Sequence, residues 1–167
     1  MPAINAAPAG NWISLGRTDG GVKVQHTQDV KELYVDQALM AVKTIRTRAG
    51  LEVSFSLAEI TLERYAKVLN DATVTDIAPG GGNAGHRSFP LSFTGTLKRF
   101  AMLVRGDSPY MDANMQYELA AVVQAGNPEI TFTKENMAVL AVRFMAQEDT
   151  NNPGRFGVLR AQDAAPV

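Results

Sequence analysis

The sequence predicts a mostly β protein, β-sandwich or barrel-like, with one flanking α-helix and a long strand hairpin. Three observations carry this. Apolar and polar residues alternate in several stretches, most clearly Leu51, Val53, Phe55 and Leu57 against Glu52, Ser54 and Ser56. Only one segment, beginning near Ser56, places apolar residues at helical spacing over several turns. Clusters of Gly, Pro, Asn and Asp cut the chain into short elements. The 167 residues fit a single domain with a real core, read as 1–167 with loose Ala- and Pro-containing arms at 1–11 and 161–167.

Taken in order, 12–15 reads as a strand followed by an Asp19-Gly20-Gly21 turn. Val22 and Val24, then Leu33 and Val35, flank the polar stretch 26–31, which predicts an opening hairpin. A second hairpin is predicted from the strand-like run 38–47 and the alternating 51–57. With 48–50 as its loop and Gly50 at positive φ, Thr47 faces Leu51, Arg46 faces Glu52, Ile45 faces Val53 and Thr44 faces Ser54. Ser56-Leu-Ala-Glu59 has the spacing of a capping box, so a helix is expected to start there. Leu62, Tyr65, Ala66 and Leu69 form its apolar face, Glu63 and Lys67 an i,i+4 pair, and Asn70-Asp71 its end. Residues 71–95, with three consecutive glycines and two prolines, read as a mobile loop. Further strands are expected at 92–104, through Met115, Tyr117, Leu119, Ala121 and Val123, at 130–133, at 137–146 and at 156–159.

Composition excludes much chemistry. Sixteen Lys plus Arg against seventeen Asp plus Glu leave a formal charge of −1, which disfavours tight binding of nucleic acid through its phosphates. No cysteine is present, which removes disulfides, thiolate metal sites and cysteine nucleophiles, and two histidines, His26 and His86, make a poor imidazole site. Residues 80–85 match GxGxxG, but they follow a proline and precede His86-Arg-Ser-Phe-Pro90, with neither the strand before nor the helix after that a dinucleotide fold requires. Glu148 and Asp149 precede Thr150-Asn-Asn-Pro-Gly154 and read as a solvated turn. Lys43, Arg46 and Arg48, and separately Lys98 and Arg99, lack interleaved aromatics for stacking bases. The expectation is therefore no enzyme, no catalytic residue, no cofactor and no metal. The longest purely apolar run, 137–142, is too short for a bilayer, and the N-terminus lacks the pattern of a secretion signal, so no membrane is expected.

The order of elements resembles the major tail tube protein of long-tailed, siphovirus-like bacteriophages. The segments that carry the resemblance are Asp19-Gly20-Gly21-Val22-Lys-Val24, Glu32-Leu-Tyr-Val-Asp36-Gln37, Leu51-Glu-Val-Ser-Phe-Ser-Leu-Ala-Glu59-Ile-Thr-Leu-Glu63, and Val142-Arg-Phe144-Met-Ala146-Gln-Glu-Asp149 followed by Gly154 and Gly157. The resemblance implies a virion structural protein, related in fold to contractile-tail and type VI secretion tubes. Such a protein is made in the bacterial host cytoplasm and assembles into hexameric rings that stack into a tube. Its implied partners are other copies of itself, a tape measure and other tail proteins, with DNA passing through transiently and without specificity. The resemblance and the predicted second hairpin together make Thr44, Arg46, Glu52, Ser54 and Ser56 the lumen-facing residues, with Arg46 neutralised by Glu52. Two other classes compete: a β-barrel that binds a small ligand or performs hydrolysis under a 71–95 lid, and a phage decoration or tail-completion protein.

Overall fold

In a computed structural model, residues 1–4, 6–37, 39–69, 73–91, 97–109, 113–130 and 138–163 are described. The chain is mostly β, with one helix among the described residues, and its main sheet is a curled antiparallel half-barrel. The first two strands, β1 (Thr18–Leu33) and β2 (Lys43–Leu57), form a hairpin of long strands. A single helix, α1 (Leu62–Val68), follows. Next come β3 (Thr75–Ile77), β4 (His86–Ser88), β5 (Phe100–Asp107), β6 (Asn114–Gln124), β7 (Glu129–Ile130), β8 (Leu140–Ala146) and β9 (Gly157–Ala161). The sheet runs β1-β2-β8-β6-β5, with β7 beside β8 and β9 beside β6; β3 and β4 pair separately.

The long hairpin is built from other residues than the sequence pattern predicts. The stretch 26–31 is strand rather than a hairpin connection, and Gly20 and Gly21 form an irregularity inside β1 rather than a turn. Asp19 pairs with Ser56 and Val22 with Phe55, so the two glycines, at φ of 71° and 81°, are extra residues in β1. Residues 12–15 lie outside any strand. The predicted turn at 48–50 is also absent: Gly50 is an ordinary strand residue opposite Thr27, and a Cβ there would lie 2.5 Å from the Thr27 Oγ1. The predicted hairpin fails because both of its halves find the same partner, β1.

Alternation does identify the core. Leu51, Val53 and Leu57 of β2 and Leu140, Val142, Phe144 and Ala146 of β8 are buried, Phe55 packs against them on the same side, and Glu52, Ser54, Ser56, Ala141, Arg143 and Met145 alternate to the other. Leu119 and Val122 of β6 and Val68 of α1 complete the cluster, and Phe55 and Phe144 stack at 6.1 Å between ring centroids. Each fully buried Leu or Val contributes roughly 1.5–3 kcal/mol relative to exposure.

The helix begins later than the predicted capping box. Ser56 is still in β2, and Thr61 is the N-cap, its Oγ1 accepting from the Arg64 N–H at 3.3 Å. Glu59 instead joins Arg17 (3.4 Å) to Arg64 (2.8 Å). The Glu63 carboxylate meets Arg87 of β4 at 2.5 Å, and Tyr65 meets Phe89 edge-on at 5.5 Å, so the β3–β4 hairpin docks on α1. The segment read as a loop is therefore hairpin over 75–88, while 71–72 and 92–95 lie outside the described residues. Its glycine-rich tip is closed by a Gly80–Asn83 bridge, with Gly81 and Gly82 at positive φ. Strand follows the tip, so the context required for a dinucleotide site is missing.

Candidate functional site

No helix among the described residues is long and apolar enough to cross a membrane. Nor does any group of three His, Asp or Glu among them stand close enough to hold a metal. His26 in β1 and His86 in β4 are exposed. Asp149 accepts from the Asn151 N–H (2.9 Å) and Asn152 Nδ2 (2.8 Å), and Glu148 from the Gly154 N–H (2.7 Å). These bonds close a turn, in agreement with the sequence reading. The chemistry of the molecule lies on its surfaces, and three of them stand out.

The first is the polar face of β2. Register decides which residues share it. Strand partners lie on one side of a sheet, so Glu52 shares a face with its partner Gln25 and Ser54 with Lys23, opposite to Val53 and Val24. Between the pairs Asp29–Arg48 and Val30–Arg46, β2 has one extra residue, Thr47, whose hydroxyl donates to the Asp29 carbonyl at 3.2 Å. The bulge reverses the phase of alternation. Arg46 (opposite Val30) and Thr44 (opposite Glu32) consequently share the side of Val24 and Val53. Of the five residues grouped by the sequence reading, Glu52, Ser54 and Ser56 stay together and Thr44 and Arg46 are on the reverse side. The predicted Arg46–Glu52 contact is replaced by Arg143–Glu52 at 3.2 Å, since β8 is the neighbour of this half of β2. Ser54 itself lies between Lys23 and Arg143. Nothing local in the sequence pointed to Arg143, 91 residues away.

The second surface is the far end of the β1–β2 hairpin. Only 52–57 of β2 pair with β8, so 43–51 pair with β1 alone and project as a two-stranded ribbon on the order of 30 Å long. The Val42 N–H to Leu33 carbonyl bond (2.8 Å) closes its end. Val30, Leu33, Tyr34, Val35, Leu39, Met40 and Val42 are all exposed there, Leu39 completely and Met40 at 82%. These side chains gather at one end of the ribbon rather than being scattered singly over the surface.

The third comprises the two open sides of the half-barrel. Among the described residues, β1 pairs only with β2 and β5 only with β6, leaving a row of backbone groups along each without a described strand partner. Between them runs an apolar groove of about 810 Å³, lined by Leu15, Phe55, Phe100, Met102, Val104 and Phe144 among others. Its described lining comes from the N-terminal segment, the sheet and the end of α1 (Lys67 and Val68), not from the 73–91 hairpin, which gives no support to a lid there.

No protein-family model matches this sequence, and no curated protein matches it.

Proposed function

We propose that the chain is the structural subunit of a phage tail tube, which self-assembles into stacked hexameric rings whose channel delivers DNA into the host. The observation that supports it most is the projecting ribbon with its apolar end. An isolated two-stranded ribbon is marginal in water, and one that also exposes Leu39 and Met40 gains most by packing against another subunit. The two open sheet sides add to this, because edges of equal chemistry allow copies to join side by side in a ring. The ring order, the DNA cargo, the virion location and the tape-measure partner come from the family resemblance of the segments quoted above. The role is structural and not enzymatic.

Within this reading, Glu52, Ser54 and Ser56 line the channel, and the Glu52 carboxylate neutralises Arg143 as a passing phosphate meets it. Thr44 and Arg46 belong to the reverse side of the ribbon, facing neighbouring subunits.

Negative-stain electron microscopy of concentrated protein tests the assignment. Rings or tubes of uniform width are expected, and a strictly monomeric protein at every concentration would overturn it. The second reading, a barrel that binds a small ligand, has the apolar groove in its favour. A monomer that retains a small molecule in native mass spectrometry would favour it instead.

A further inference from the structure

Along β5, six consecutive residues, Phe100 to Arg105, line the groove. Alternate strand residues point to opposite faces, so a groove that touches all of them runs along the strand's free edge as well as over one face. Pro8 and residues 11–16 of the N-terminal segment and Thr18 and Val22 of β1 line it as well, with the core side chains of β2 and β8 and the end of α1 as its floor. The N-terminal segment therefore lies between the two open sides of the half-barrel.

Pro2 and Ala6 are held on the opposite face of the same strand. Arg105 and Gln116 are register partners on the face away from Met102 and Leu119. There Arg105 donates to the Ala6 carbonyl (3.0 Å) and Gln116 Nε2 to the Pro2 carbonyl (3.4 Å). These two side chains belong to a continuous polar row. Arg105 donates to Gln116 Oε1 (2.6 Å), Gln116 donates to Glu118 (2.6 Å), and Arg160 pairs with Glu118 at 3.1 Å. Gln116 is wholly buried and Glu118 is 3% exposed. The chain thus passes from one face of the sheet to the other between Ala6 and Pro8, beside Arg105. Among the described residues, no backbone hydrogen bond joins 1–16 to β5. The edge opens onto the groove, with the N-terminal segment as a wall of that groove and, among the described residues, with no ladder to it; the side-chain bonds from Arg105 and Gln116 reach only main-chain carbonyls of the segment.

We propose that the N-terminal segment, through Pro2, Ala6, Pro8 and residues 11–16, is an autoinhibitory strap that screens the free edge of β5 in the single chain and gives way when the edge strand of a second copy pairs there. This rests on the self-assembly reading and adds its control. A strap joined by a β-ladder would compete with an incoming strand bond for bond; one that makes no ladder leaves the edge's N–H and C=O groups for the newcomer. The incoming edge is β1 of the second copy, the other open side of the same sheet, and such a head-to-tail contact forms a ring when the rotation from copy to copy closes.

The test compares the full chain with a chain lacking residues 2–9, which keeps Trp12 and Leu15, by sedimentation over a concentration series. The truncated chain is expected to associate at a threshold about tenfold lower. In the dilute single chain, its amide hydrogen exchange should quicken over 100–105 and stay unchanged over 140–146. Arg105→Lys in the full chain, which keeps the charge but loses the forked reach to both Gln116 and Ala6, should lower the threshold by a smaller factor. If the full chain assembles and the truncated chain has an equal or higher threshold, the strap is rejected and self-assembly stands. If neither associates at any concentration, both are rejected. Faster exchange over 140–146 would mean that the truncation has loosened the fold, and Arg105→Lys then decides: an unchanged threshold overturns the strap.

Discussion

Gly157 illustrates how little room the sheet leaves where β9 meets β6. It pairs with Leu119, and a Cβ on it would run into the Glu118 carbonyl oxygen and lie 3.0 Å from the Leu119 Cα. Both obstacles are backbone, so nothing can swing aside. Gly157→Ala is expected to cost about 2–3 kcal/mol, lowering the calorimetric midpoint by roughly 5 to 10 °C for a chain of this size; an unchanged midpoint would show that β9 does not approach so closely. Three carboxylates set a second expectation at this scale. Glu59 is held below the ordinary range mainly by the hydrogen bond from Arg64, Glu63 by its own N–H in the first turn of α1, and Asp149 by the Asn152 side chain. A lowered pKa in the folded state means stability that is present above the ordinary carboxylate range and lost as pH falls through it and below. The thermal midpoint should therefore drop below about pH 4. The Glu59→Gln, Asp149→Asn double variant should show a smaller drop, and identical pH profiles would contradict the assignment.

Among the elements, the ribbon and the helix differ most from the local pattern. In the ribbon, Thr47-Arg48-Ala49-Gly50 contains no alternation of apolar residues to set a phase, so neither the bulge at Thr47 nor the continuity of β2 past Gly50 is legible there. Ser56-x-x-Glu59 satisfies the capping pattern, yet Phe55 and Leu57 keep the strand going past Ser56, and Glu59 is engaged by Arg17 and Arg64 instead. Tertiary pairing prevails over a local motif worth about 1 kcal/mol. The ribbon's exposed end makes a direct prediction. Leu39→Glu with Met40→Glu should leave unfolding within about 0.5 kcal/mol, because neither side chain packs on its own subunit. The same variant should fail to form rings or tubes under the electron microscope. Normal assembly would remove the ribbon end from the contact.

For the whole molecule, the two sides of the half-barrel have different tasks. One carries the apolar cluster that holds the strands and α1 together. The other carries Glu52, Ser54 and Ser56 with Arg143. Removing a half-exposed ion pair changes folding by only ~0 to 1 kcal/mol, but in an assembled tube the change recurs in every subunit. Glu52→Gln should leave tube formation intact and uncover Arg143 along the channel. Genome release from particles built with it should then be slower and more sensitive to salt. Unchanged release across a range of salt, or Glu52 labelled from outside the intact tube, would sink the channel assignment.

By itself, the sequence determined that the chain is mostly β, which side of 51–57 faces the core, and where most later strands lie. Those properties follow from a period-two pattern that each strand displays locally, whatever lies beside it. Only the tertiary structure decided that β1 is one strand, that β2 lies between β1 and β8, that Glu52 meets Arg143 rather than Arg46, and that the N-terminal segment crosses the edge of β5. Each of these depends on which distant segment lies alongside. Backbone N–H and C=O groups are the same in every strand, so the choice of neighbour is made by packing the whole sheet, and a single extra residue such as Thr47 then sends the side chains beyond it to the opposite face.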